Sequence, residues 1–346
     1  MKRLAVLPSA LAFAALLALP AAATGGDDAL ALVPADAASV GVIHVADLRT
    51  SPLAARVFSD TDHLTVDGDA AHFLAEAHLN PKEDVDTVVA AGSPKGAGGS
   101  AGWGLVLFEG RFDPAALSAA IAARGAIRKS TPAGDYFLLP EKGAHASRHE
   151  QGAIAFASEH LVIAGNEASV VAALAQRSAG GTAFRSGAGL GRHLGRIDSG
   201  ASAWALVDVT RLPVGERSNG LHASRTVDGK DVEVKARSGH EDAALTVVSS
   251  MKSVSLLALQ ATAKGDALKL AATGLVSDDE TAGLMEDALR GVLAAWRLAA
   301  QEKSPETVSM IRKFSVTRDK STVSISGTLP GSAVRALAEK KHARVD

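Results

Sequence analysis

The stretch "VIHVADLRTSP" (42–52) matches "AWALVDVTRLP" (203–213) without a gap, with Asp47 on Asp208 and Pro52 on Pro213. Each is an apolar strand ended by an aspartate and closed by a proline five residues later. Proline ends a strand because it removes a ladder donor and holds the residue before it extended. A repeat constrains the fold more than a lone motif does, because one supersecondary unit must then be built twice. Two further matches keep the same order. "WGLVLFEGRFDPAALSAAIAA" (103–123) lies over "ALKLAATGLVSDDETAGLMED" (267–287), with Gly110 on Gly274. Both read as a strand, a glycine and a helix start. Asp113 with Pro114 supplies the first cap, and Ser277 with Glu280 three residues on forms a capping box for the second. "EHLVIAGNEASVVAALA" (159–175) lies over "STVSISGTLPGSAVRALA" (321–338) with a one-residue slip, and Gly165 meets Gly327.

The chain therefore reads as two related halves, 24–178 and 202–346, joined by a Gly-rich connection over 179–201 with a short helix near Leu190–Leu194. Each half runs strand, variable segment, then β-β-α-β-β-α. The variable segment is helical in the first half, with Leu53–Phe58 and Ala70–Leu79 as candidates. In the second it is a polar excursion, Gly215–Asp242. Hairpin-linked strands predict an α+β fold of mainly antiparallel strands with helices packed on one face. The longest helix, Asp278–Gln301, places Met285, Leu289, Val292 and Trp296 on one stripe, the spacing of a core-facing helix.

The first residues predict export. Lys2 and Arg3 precede an apolar run, Leu4–Leu19, interrupted by Pro8 and Ser9, and Ala21–Ala23 offer a cleavage site. This is the pattern of a secretory signal peptide, 1–23. It falls short of the roughly 20 uninterrupted apolar residues of a spanning helix. A periplasmic or extracellular protein with no transmembrane segment in the mature chain is expected, and the final "EKKHARVD" carries no anchor. The chain has 0 cysteines. That excludes disulfides, thiolate metal sites, cysteine nucleophiles and lipid attachment through an N-terminal cysteine. The core alone must hold the fold, and 346 residues suffice for that. Net charge is −2 without a basic stripe, so nucleic acid is not an expected partner. Aromatic residues are 4% with a single Tyr136, too few for a stacking platform.

The opening "LVPADAASVGVIHVADLRTSPLA" (32–54), with "LNPKEDVDTVVAAG" (79–92) and "LFEGRFDPAALSAAI" (107–121), resembles a diffuse group of exported bacterial proteins of unknown function. Those begin with a signal peptide, a Pro-Ala-Asp turn and a strand. The resemblance covers most of the first half. It implies an envelope-associated α+β domain and brings no catalytic residues.

Few constellations carry chemistry. His145 and His149 lie close together in "AHASRHEQ" (144–151), between two predicted strands. With His160 they are the candidate metal ligands, although a hairpin loop is a poorly organised site. His44 sits on an apolar strand where the second half has Ala205, which suits a core or edge histidine. His72 and Glu76, one helical turn apart, lack the His-Glu-x-x-His spacing of a zinc hydrolase. Asp278, Asp279 and Glu280 open a helix, where acids suit the dipole. Asp47 and Asp208 repeat by position, as turn-capping residues or as a pair across a pseudo-twofold axis. The glycine runs 92–104 and 186–192 hold no phosphate-binding pattern. No Gly-x-Ser-x-Gly elbow occurs. No cofactor is implied. The sequence thus points first to an exported binding or scaffolding protein, its partner an unidentified envelope protein. It leaves open a hydrolase or metal-dependent enzyme whose residues converge only in the fold, and a carrier of a small apolar ligand.

Overall fold

The computed structural model describes residues 27–54, 68–94, 102–140, 151–181, 184, 189–212, 224–227, 230–233, 253–301 and 305–335. Its strands are β1 (Ser39–His44), β2 (Val85–Ser93), β3 (Trp103–Gly110), β4 (Ile127–Thr131), β5 (Gly134–Leu138), β6 (Gly152–Ser158) and β7 (Leu161–Asn166). They continue with β8 (Ala203–Asp208), β9 (Ser224–Val227), β10 (Lys230–Glu233), β11 (Val254–Ala263), β12 (Ala267–Val276), β13 (Ser315–Asp319) and β14 (Thr322–Pro330). Alternation is clearest in β2, where Val85, Thr87, Val89, Ala91 and Ser93 are buried and the residues between them are not.

Apart from the β9–β10 hairpin, the strands form one sheet of 12, ordered β13-β14-β12-β11-β8-β1-β2-β3-β7-β6-β5-β4. Neighbours are antiparallel throughout. β1 and β8, which carry the stretches matched in sequence, lie side by side at the centre, with Val42 opposite Trp204 and Val40 opposite Leu206. From that seam one wing runs β1-β2-β3-β7-β6 and the other β8-β11-β12-β14-β13. The first wing adds β5 and β4, so four strands, β4 to β7, stand where the sequence predicts two between its helices.

Helices are α1 (Asp27–Ala31), α2 (Val45–Leu48), α3 (Gly68–Glu76), α4 (Pro81–Asp84), α5 (Pro114–Ala123), α6 (Glu167–Ser178), α7 (Asp279–Gln301) and α8 (Pro305–Ile311). A 3-10 turn at Gly189–Arg196 occupies the expected helix position in the Gly-rich connection. Helices cover both faces of the sheet, which corrects the expectation of a single covered face. Val170, Ala173 and Leu174 of α6 share a core with Ala155 and Ile163. Leu117 and Ala120 of α5 pack with Phe156 instead. Ala155 and Phe156 are successive strand residues, so they point to opposite faces. The face that carries α5 also carries α7 and α8, through Val316 and Val323.

Capping explains where the helices begin. Asp113 accepts from the backbone N–H groups of Ala115 and Ala116, with Pro114 at the first helical position. At α7 the cap is Asp278 rather than the expected Ser277. Asp278 Oδ1 accepts from the Thr281 N–H at 2.7 Å, and Ser277 Oγ donates to Asp278 Oδ2 at 2.6 Å. The matched glycines have local causes that differ between the wings. A Cβ at Gly165 would collide with the backbone carbonyl of Gly104 on the neighbouring strand. One at Gly327 would enter the Phe314 ring, about 2.5 Å away.

Candidate binding surface

The predicted metal ligands do not come together. His145 and His149 lie outside the described residues. His160 places Nδ1 3.0 Å from the Gly110 carbonyl, a bond that ties the start of β7 to the end of β3. Among the described residues no group of three or more metal-ligating side chains occurs. His72 pairs with Glu76 at 3.1 Å on the exposed side of α3. The acidic triplet is structural, since Asp278 caps α7 and Asp279 receives Arg318 Nη1 at 2.5 Å.

Asp47 and Asp208 are not a pair. The Asp208 N–H bonds to the Ala38 carbonyl, at the start of β1, whereas His44 at the other end bonds to Ser202. A strand of six residues separates them, about 20 Å. Their roles differ as well. Asp208 Oδ1 accepts from the Thr210 N–H and hydroxyl, as a turn-capping aspartate does. Asp47 is 6% exposed and its Oδ2 has no hydrogen-bond partner. Burial pushes its carboxyl up to about 6.

Sequence reasoning did not anticipate a polar row on the adjoining strands. His44, Thr87 and Glu109 lie side by side across β1, β2 and β3. The signal was present as a histidine, a threonine and a glutamate on three apolar strands, but only the register aligns them. Thr87 is buried and its hydroxyl has no partner. It is therefore not hydrogen-bonded to His44, and the row lacks the nucleophile–base link that covalent catalysis requires. Glu109 Oε1 accepts from the Ala29 N–H at 2.7 Å, holding α1 against the sheet.

The strongest unsatisfied surface is on α7. Its inner side packs Ala282, Met285, Leu293 and Ala300 into the core. Trp296, expected on that inner stripe, is instead 59% exposed. At 100° per residue Trp296 lies inside the arc spanned by Met285 and Leu293, so helix phase does not account for its exposure. The outer side carries Leu284 and Leu298, 66% and 68% exposed. Charge stands outside as well, at the exposed Glu280, Asp287 and Arg290, and one carboxylate is turned in. The Glu286 side chain is only 13% exposed and accepts from Arg290 at 2.7 Å and from Arg318 at 3.1 Å. A surface helix ordinarily keeps its large apolar residues inward, and Leu284 and Leu298 depart from this. The other long helices present alanines outward: Ala115, Ala119 and Ala122 on α5, and Ala168, Ala172 and Ala175 on α6. Large apolar side chains on an outer helix face mark interaction sites. Among the described residues no helix is long and apolar enough to cross a membrane.

No protein-family model matches the sequence, and no curated protein matches it significantly. Solved structures give weak likenesses. Crystal form III of TP0453 is 8% identical, with the alignment covering 90% of this chain and 97% of that one at a TM-score of 0.46. Crystal form IV of TP0453 is 10% identical over 89% and 95%, at 0.44. At such scores the likeness carries no argument about function.

Proposed function

We propose that the protein is exported to the periplasm or beyond the cell and acts there by binding or scaffolding rather than by catalysis. The outward face of α7 carries this reading: Leu284 and Leu298 stand in solvent there while Glu286 is turned in against the fold. The N-terminal signal pattern supports export. The unlinked Thr87 hydroxyl and the structural duties of Asp278, Asp279 and His160 leave the described residues without an assembled catalytic set. In the same reading the two wings derive from one duplicated unit, which the common strand order outward from β1 and β8 supports.

Cell fractionation tests export. Quantitative pull-down from envelope extract, comparing the parent chain with a Leu284→Glu/Leu298→Glu variant, tests binding. The parent is expected to retain partners, itself included, that the variant loses. Turnover of ester, peptide, phosphate or glycoside substrates by the purified protein would overturn the reading.

A further inference from the structure

Building on that binding reading, we propose that the occupant of the α7 face is a second copy of this chain, packed antiparallel along its own α7. Leu284, Ala288, Gly291, Ala295 and Leu298 follow one another at steps of four, three, four and three residues, the spacing of a coiled-coil seam. Thr281 extends the seam by one more step of three. The centre is open, since a Cβ added at Gly291 would meet nothing.

Two copies fit because the seam is complementary to its own reverse. With a twofold axis beside Leu289 and Arg290, Leu284 meets the partner's Ala295, Leu298 meets the partner's Thr281, and Ala288 meets the partner's Gly291. Each large side chain enters a position occupied by a small one, so the axes can approach to the short end of the 8–10 Å range of packed helices. At the borders Glu280 lies opposite the partner's Gln301 and Asp287 opposite the partner's Ala294, while Met285 stays in the core of its own chain. No charge faces a like charge. A parallel pair would instead set leucine on leucine at both ends and glycine on glycine between them, leaving a gap at the centre. Glu280 and Asp287 along one border also make the face unsuited to an anionic lipid surface.

The contact runs from Thr281 to Leu298, about 25 Å at 1.5 Å per residue. It buries less than the roughly 1,600 Å² of a standard stable interface. A reversible dimer of micromolar or weaker affinity is the matching expectation.

Sedimentation of the purified chain over a concentration series tests the proposal. The parent is expected to shift from monomer to dimer mass, and Leu284→Glu/Leu298→Glu to weaken association about tenfold or more. Both leucines are exposed in the single chain, so the variant retains its fold, checked by its thermal melt. The chain has no cysteine, which permits a second measurement. Leu284→Cys/Ala295→Cys should give a disulfide-linked dimer under mild oxidation, whereas Leu284→Cys alone should not. A parent that stays monomeric with no cross-link in the double variant overturns the proposal, as does cross-linking by Leu284→Cys alone, the signature of a parallel pair. If a monomeric parent still retains another envelope partner through Leu284 and Leu298, the second copy is wrong and the binding reading stands. If it retains none, both fall.

Discussion

Asp47→Asn isolates one buried charge at the end of β1. Burial pushes the Asp47 carboxyl from an ordinary 3.8 up to about 6. At 1.36 kcal/mol for each tenfold change in acidity, that displacement corresponds to about 3 kcal/mol as an upper bound. The direction follows from proton counting. Below 3.8 the group is protonated whether the chain is folded or not, and burial costs no ionisation energy. From there to about 6 the unfolded chain releases its proton while the folded one keeps it, so stability falls as pH rises. Above that window the carboxylate is buried ionised and the loss is complete. Asparagine cannot ionise, so its stability lacks this slope. Between about pH 4 and pH 8 the parent should lose up to about 3 kcal/mol more than Asp47→Asn. Urea unfolding of both proteins at a series of pH values measures this. Comparing slopes cancels any constant cost of burying the amide. Parallel stability curves for the two proteins would refute the argument and require an ion-pairing or hydrogen-bonding partner for Asp47.

Two substitutions probe the sheet. Thr87→Val replaces an unpartnered buried hydroxyl by a methyl group of the same shape, and should raise unfolding free energy by about 1–2 kcal/mol in urea titrations; a loss of stability would mean that the hydroxyl is bonded in solution. Gly165→Ala drives a Cβ into the Gly104 carbonyl across the β3–β7 pair and should cost about 2 kcal/mol or more, read as a lowered melting temperature; an unchanged melt would show that the two strands can separate at no cost.

The parts of the molecule that were legible in advance are those fixed by local chemistry. Asp113 followed by Pro114 announces α5 because the cap and the first helical position are neighbours in sequence. At α7 the capping residue was misplaced by one position. Ser277 and Asp278 are both competent caps, and which one turns its oxygen to the helix depends on the approach of β12. The single sheet was not legible at all. Nothing within "VIHVADL" or "AWALVDV" states that the two strands pair with each other rather than opening separate subdomains; that follows from the register of Val42 on Trp204. The polar row was hidden for the same reason, because His44, Thr87 and Glu109 come from distant stretches. Trp296 shares the arc of the buried Met285 and Leu293 and is exposed all the same, because an apolar stripe identifies which residues a helix could bury and not which of them the fold covers.

Two leucines on α7 bear on function. β2 alternates as a half-buried strand should, and α5 and α6 turn alanines outward. On α7 the inner side is apolar too, with Met285 and Leu293 in the core, but Leu284 and Leu298 are directed outward and Glu286 is held inward by Arg290 and Arg318. Leu284 and Leu298 contribute little to the stability of a single chain, since they remain in water, so the fold alone gives no reason for leucine at either position. Sequences agree with their folds at most positions and depart from them where another demand is imposed. A departure on the outer side of α7, at coiled-coil spacing and with large residues set to meet small ones in reverse order, places that demand on association. The opposite reading, that these leucines are incidental, requires an alanine at both positions to leave every assembly property unchanged, and a sedimentation series on Leu284→Ala/Leu298→Ala decides between the two.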